Sequence, residues 1–373
     1  LEKTQTTLGK ILISGGGRCN VTHACFDPAE LVKFYPRGAN ELRGAFARFQ
    51  PADAVKWFES RGVKLKTEAD GRMFPVTDKS EDVANCLREA AKRAGVEVWL
   101  GARALGAEKL SGAGFQLTAA RARAQFLLQT KKLLIATGRD SKSRGVVQAL
   151  GHTIIPPVPS LFTFNVKDKR LDGLAGVSLD DVTFKMEGLT QRGALLVTHW
   201  GLSGPAALKL SAWGARILFE KNYRASLTIN WLGGYRLDSA LEVLRRGKDW
   251  RENARKKVAA QSAFSQIPLR LWKRLTRFIG DKNWGDLSKA ELRKLAEELT
   301  AGRFEITGKG PFKEEFVSCG GVKFSEVDFK TMQSRLAAGL FFAGEVLGAD
   351  GVTGGFNFQA AWTTGWIAGG AMA

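Results

Sequence analysis

The run GLFFAGEVLGADGVTGGFNFQAAWTTGWIAGG, Gly339 to Gly370, decides the fold. Its LFFAGE portion is apolar without alternation, which marks a strand buried on both faces, as in a parallel sheet. That strand ends at Gly344 and Glu345. After a glycine-rich link, the residues from Phe356 onward read as a helix whose start, at Gly354 and Gly355, carries no side chains. A strand, a bare turn and a helix form an α/β unit, and in open α/β sheets ligands bind beyond the carboxyl ends of the strands. The unpaired N–H groups and positive dipole end of such a helix suit an electron-rich oxygen, and Glu345 suits sugar-like hydroxyls. The alternative is that these glycines serve only close packing of helix on sheet.

Two further glycine-rich ends point the same way. KILISGGGRCNVTH, Lys10 to His23, places three consecutive glycines after a short apolar run, and KLLIATG, Lys132 to Gly138, is a second buried strand ending in small residues. Between them, apolar spacing predicts two or three helices in residues 27–63, one of them starting at Pro51. SEDVANCLREAAKRAG predicts a helix capped by Ser80 and stopped by Gly95, and VEVWL a strand.

From about Pro156 the texture changes. PPVPSLFTFNV, GVSLDDVTFKM, GALLVTHWGLSGP and YRASLTINWL are short runs separated by Pro and Gly, which predicts an antiparallel sheet or barrel. Residues 236–303 are helical in pattern and basic, with Leu271, Trp272, Leu275 and Ile279 on an amphipathic face. The glycine-rich style of the start then returns, so the simplest organisation is discontinuous. Residues 1–155 with 317–373 make one domain, 156–235 with 304–316 a β-domain, and 236–303 a helical subdomain.

With 373 residues, 44 % of them apolar, the chain can bury a full core and is longer than single domains usually grow. Fifty-six Lys and Arg against 37 Asp and Glu leave a net charge of +19. That balance attracts polyanions and phosphorylated cofactors without choosing among them. Cys19, Cys25, Cys86 and Cys319 form no C-x-x-C pair and only three histidines exist, so neither a disulfide framework nor a metal site is predicted. A reducing, cytoplasmic setting fits, and no apolar run reaches the roughly 18 residues of a membrane span. The first residues, LEKTQTTLGK, read as a strand end already under way, as in a fragment. Cys19 reads as a small buried thiol.

SGGGRCNVTH, LLIATG, LGHTIIPPVPSLFTF, VTHWGLSGPAALKLS, CGGV and the Gly339–Gly370 run, in this order over nearly the whole chain, resemble the BaiN-type NAD(P)/FAD-dependent oxidoreductases, the aminoacetone-oxidase-like flavoproteins. The resemblance implies an α/β, Rossmann-type FAD-binding domain interrupted by an inserted antiparallel β-barrel that carries a small helical subdomain. The first strand, turn and helix of that domain, with the G-x-G-x-x-G motif, are missing from these residues. It also implies a site. Glu2 and Lys3 would meet the adenosine ribose, and Lys10 and Ser14, Gly15, Gly16, Gly17, Arg18, Cys19 and Asn20 would lie along the pyrophosphate and flavin. Ala104, Ala136, Thr137 and Gly138 would close the dinucleotide side, Gly344 and Glu345 would hold the ribityl chain, and Gly354, Gly355, Phe356, Asn357 and Phe358 would face the flavin pyrimidine.

The implied activity is FAD-dependent oxidation or reduction of a small molecule by hydride transfer through flavin N5. NAD(P)H is the reductant to consider, although Arg139 and Asp140 stand where relatives carry a longer glycine-rich link. His199, in THWGLSGP, is the candidate acid/base, set against an ordinary structural histidine. The alternatives are a flavin-dependent RNA-associated or tRNA-modifying protein, or a cofactor-free scaffold. The basic segment carries its own acids and shows no aromatic stacking platform in its sequence, so no specific nucleic acid partner is expected.

Overall fold

The computed structural model describes residues 1–122, 124–249, 254–310 and 317–373. The expected β-domain segment 304–316 and helical segment 236–303 therefore fall partly outside the described residues, at 311–316 and 250–253. The chain forms two compact units, Leu1–Pro157 with Ser318–Ala373, and Val158–Val317.

In the first unit the strand Leu340–Phe342 is fully buried and pairs in parallel with Leu133–Ile135, in register from Leu340 opposite Leu133 to Phe342 opposite Ile135. Two short antiparallel strands, Val327–Asp328 and Gln333–Ser334, extend this sheet. Phe341 and Phe342 sit in a core with Val146, Val147, Leu347 and Ile367. Each contributes on the order of 1.5–3 kcal/mol by burial. The helix Phe356–Met372 follows, and buries Phe356, Ala360, Thr363, Thr364, Ile367 and Ala368 along one side. Pro51 does open a helix, Pro51–Glu59, where its fixed φ and missing N–H cost nothing.

Two local expectations are corrected. Val96 to Leu100 forms no strand, because only Leu100 finds a partner, in an isolated parallel bridge to Glu2, and Val96 and Val98 face solvent. Ser80 does not cap its helix. It is the first helical residue, after Lys79, and its hydroxyl donates 2.9 Å to the Leu12 carbonyl. Phe115–Arg121 and Ala124–Thr130 form a hairpin beside Ala102–Lys109.

The second unit is built on a closed antiparallel barrel of β1 (Phe164–Val166), β2 (Ser178–Met186), β3 (Leu189–Thr198), β4 (Gly201–Ser203), β5 (Ala225–Asn230) and β6 (Gly302–Lys309). The order around it is β2-β3-β4-β1-β6-β5, with β5 returning to β2. Closure leaves no free sheet edge, which removes the aggregation hazard of an open sheet. Alternate residues such as Phe164, Val166, Phe184, Leu227, Ile229, Phe304 and Ile306 fill the interior. The helices Leu269–Leu275 and Lys289–Ala301 add Leu271, Trp272, Leu275, Leu292, Leu295 and Leu299 to the same core. Among the described residues, no helix is long and apolar enough to cross a membrane.

Candidate functional site

In the first unit, Glu2, Lys3, Ala104, Ala136 and Thr137 line one cavity of about 310 Å³. Arg103, Asp140 and the strand Leu133–Ile135 complete its wall. Backbone bonds fix Glu2 beside the 99–102 segment, Glu2 N to Trp99 O and Ala102 N to Glu2 O, both 2.9 Å. One carboxylate oxygen of Glu2 accepts from Thr4 N at 2.8 Å and Thr4 Oγ1 at 2.7 Å, leaving the other oxygen free of these bonds. Lys3 pairs with Asp140 at 2.5 Å. Arg103 brings a buried Nε that finds no hydrogen-bond partner among the described residues. A larger cavity, about 640 Å³, lies in the second unit by Asp181, Arg192 and Tyr235, and none of the residues expected from the sequence lines it.

The loop after Ile13 is held open by three left-handed glycines, with φ of 55° at Gly15, 69° at Gly16 and 83° at Gly17. Ser14 O closes it by accepting from Gly17 N and Cys19 N, both at 3.0 Å, and Gly17 O accepts from Ser80 N at 2.9 Å. At Gly15 a Cβ would lie 2.9 Å from the Phe74 ring, whereas at Gly16 and Gly17 it would meet nothing within 4 Å. Those two residues need glycine for their φ and face open space, the form of a backbone cradle for an oxygen-rich ligand.

The side chains of the same loop turn inward. Cys19 is fully buried, with φ 60°, and burial pushes its thiol up to about 11, the hydrogen bond with Ser14 opposing. That makes it a poor nucleophile at neutral pH. Arg18 Nη1 lies 2.6 Å from Glu68 Oε1 and 3.5 Å from Asp78 Oδ1, and its guanidinium covers the Phe74 ring at 4.0 Å. Hydrogen bonding from Lys66, reinforced by Lys66 and Arg18 charge, holds Asp78 below the usual carboxylate range. The charge of Arg18 is therefore balanced within the protein.

Glu345 is shared by Lys10, through a close ion pair, and Arg139, at 3.6 Å. Gly138, with φ 59°, lies against both Glu345 and Lys10. Gly344 N donates 2.9 Å to Thr364 Oγ1 on the C-terminal helix.

The start of that helix is filled. A Cβ at Gly355 would fall 2.4 Å from the Thr22 carbonyl oxygen, and at Gly354 2.9 Å from the Phe356 ring. Asn20 spans the contact, its amide oxygen accepting from Gly355 N at 2.9 Å and its amide nitrogen donating to Thr22 O at 2.9 Å. Phe356 stacks on Phe34 at 4.4 Å and on His23 at 4.6 Å. Asn357 pins its own link, accepting from Gly351 N at 2.9 Å and donating to Gly351 O at 2.8 Å, while Phe358 stacks on Trp362 at 5.6 Å. The sequence showed glycines here but not their partner Thr22, more than 300 positions away.

His199 belongs to the second unit. It is exposed in the β3–β4 turn, with the Trp200 ring 6.4 Å away, and Thr163 Oγ1 and Ser203 Oγ pair nearby at 3.0 Å.

Comparison with known proteins places the chain. A ribosomal RNA dihydrouridine synthase of Escherichia coli (strain K12) is 29 % identical over 371 residues, covering 96 % of this chain and 87 % of that protein. A 3-dehydro-bile acid delta(4,6)-reductase of Clostridium scindens is 27 % identical over 384 residues, covering all of this chain and 92 % of its own. Among solved structures, a flavocytochrome c3 fumarate reductase in its open conformation superposes with a TM-score of 0.44 at 16 % identity, over 100 % of this chain and 70 % of that one. The profile of the HI0933-like protein Rossmann domain matches residues 1–371, and the chain belongs to that family.

Proposed function

We propose that this protein is an FAD-dependent reductase that adds hydrogen across a carbon–carbon double bond conjugated to a carbonyl. The observation that carries the reading is the open backbone cradle at Gly16 and Gly17, in the same unit as the cavity lined by Glu2, Lys3, Ala104, Ala136 and Thr137. These residues fit a dinucleotide. Glu2 would receive ribose hydroxyls, and Gly16, Gly17 and Gly138 would let the chain approach the pyrophosphate closely. Lys10 and Glu345 would flank the ribityl chain, and the segment Gly354 to Phe358, rigid through Asn20 and Asn357, would form a fixed wall against the flavin. Bound there, FAD supplies a hydride acceptor and donor. NAD(P)H is the reductant proposed for it.

The bond to be reduced is inferred from the two relatives. A 3-dehydro-bile acid delta(4,6)-reductase and a dihydrouridine synthase, by their names, both saturate an alkene in conjugation with a carbonyl. Such an alkene takes hydride at its β carbon and a proton at its α carbon. Four free cysteines agree with a reducing, cytoplasmic setting.

A second reading, that the alkene is a uracil ring carried in RNA, is favoured by the net charge of +19 and by the name of the E. coli relative. One experiment serves both. The purified protein is incubated with FAD, desalted, and its visible spectrum recorded, and NADH and NADPH oxidation is then followed with a 3-keto-4,6-diene steroid and with uridine-rich RNA. Stoichiometric flavin and reductant-dependent loss of the conjugated absorbance of either substrate supports the proposal. A colourless protein after incubation would favour the cofactor-free scaffold.

A further inference from the structure

The helical part of the second unit carries a concentration of uncompensated positive charge around one exposed ring. On Leu269–Leu275 and the turn that follows, Leu271, Trp272, Leu275 and Ile279 point into the core, so Arg270, Lys273, Arg274 and Arg277 project outward. Phe278 is 40 % exposed, and Lys294, from the next helix, places its Nζ 4.7 Å above the Phe278 ring. Arg270 is steadied by donating 2.5 Å to the Gly173 carbonyl.

The acids of this region form no ion pair with these five cations, and of the five only Lys294 acts on an acid, through its charge on Glu298. Glu291 is held by Lys282, Glu297 by Arg293, Glu298 by Arg170 and Asp281 by Lys257. Asp172, beside Gly173, and Asp286 are exposed carboxylates at the margin. Among the described residues, none of Arg270, Lys273, Arg274, Arg277 and Lys294 forms an ion pair. Spreading five unpaired charges over so small a surface costs self-repulsion, which a polyanion would relieve.

We propose that this surface, centred on Phe278, docks RNA, with the cations on phosphates and an unpaired base taking the place over the ring that Lys294 holds in the free protein, as Lys294 turns to a phosphate. This rests on the second reading above. Single-stranded RNA is the occupant the chemistry favours, because cations flanking an exposed aromatic ring match phosphates flanking a base, and base stacking on a ring does not depend on sequence. A membrane surface fits less well. The apolar side of the helix is consumed by the core, leaving only Phe278 and Leu269 to enter a bilayer, whereas interfacial helices offer a whole apolar face.

The test uses the full chain and a fluorescein-labelled, uridine-rich 20-nucleotide RNA, with anisotropy titrations from 50 to 300 mM salt. Four to five phosphate contacts give a slope of log K against log salt of about −3. The triple variant Lys273→Glu, Arg277→Glu, Lys294→Glu is expected to bind about 30-fold more weakly near 0.15 M salt, with the slope reduced by about 2. Phe278→Ala should weaken binding at least about 5-fold with the slope unchanged. A charge-matched triple in the first unit, Lys56→Glu, Lys64→Glu, Lys92→Glu, should alter affinity less than about 5-fold, and thermal melts verify that every variant is folded.

Equal loss in both triples would overturn the proposal, since bulk charge would then explain the binding. So would retention of RNA binding by the 273/277/294 triple, or binding of phosphatidylserine vesicles in place of RNA. Flavin content and turnover of the free steroid enone are measured on the same preparations. Enone reduction without RNA binding would sink the docking surface and leave the reductase standing, whereas RNA binding without flavin would do the reverse.

Discussion

Two glycine clusters of the first unit, Gly15 to Gly17 and Gly354 to Gly355, look alike in sequence and differ in what surrounds them. All five have positive φ. Gly355 has the Thr22 carbonyl where a Cβ would go, while Gly16 and Gly17 have nothing within 4 Å. At Gly355 glycine is required by a neighbour as well as by its φ, and at Gly16 and Gly17 by the backbone alone. Packing accounts for the first. Only the second leaves room for a ligand, so a glycine-rich turn becomes evidence of binding when the space before it is empty.

Substitution should separate the clusters. Gly355→Val collides with Thr22 and adds left-handed strain, so a loss of about 3 kcal/mol or more in urea unfolding is expected. A drop below about 1 kcal/mol would show that the contact relaxes freely and that the two clusters do not differ. Gly16→Ala should cost only about 1–2 kcal/mol, the strain of its φ. Its main effect is expected in flavin content, reduced at least about tenfold after desalting. Full retention of flavin would remove the loop from the proposed cofactor site.

A third test moves to a polar group that is filled around completely. His152 has a fully buried side chain, its Nδ1 3.2 Å from Glu326 Oε2 and its Nε2 2.8 Å from Ser334 Oγ. Burial lowers its pKa, against the opposing pull of Glu326, so the folded state prefers the neutral ring more than the unfolded chain does. Glu326 is also lowered, its burial being outweighed by the hydrogen bonds from Thr153 and by His152. Both contributions are present at neutral pH. The His152 part is lost as pH falls below about 6.5 and the Glu326 part below about 4.5. His152→Gln should flatten the stability profile between those values, and an unchanged slope would mean that the pair is not responsible. The smallest effect is expected at Glu345→Gln, whose ion pairs, one with the half-exposed Lys10 and one with Arg139 at 3.6 Å, contribute about 1 kcal/mol. A larger loss of stability would show that Glu345 is structural before it is a ligand for ribityl hydroxyls.

What the sequence made legible follows interaction range. The parallel strand at Leu340, the helix from Pro51 and the barrel runs are written in local period and turn residues, and each is present. Val96 to Leu100 has the composition of a strand but lacks a partner beyond Glu2, and composition cannot report a missing neighbour. Arg18 stands next to three glycines, and its ion pairs with Glu68 and Asp78, from the 65–80 region, become visible only once the chain is folded. The same holds for Phe278, whose pattern within a basic amphipathic segment does not reveal that it stands on the surface under Lys294.

Cys19 gives the glycine loop a built-in clock. Its thiol has no solvent contact, packs with Ile11, Val21, Phe58, Val83 and Ala84, and is held protonated to about 11, so an alkylating reagent can reach it only when the loop from Ser14 and this packing part together. The rate of Cys19 labelling, compared with that of the partly exposed Cys25 and Cys86, therefore counts openings of the cradle in the intact protein. A ligand seated on Gly16 and Gly17 would slow that clock without touching the sulfur.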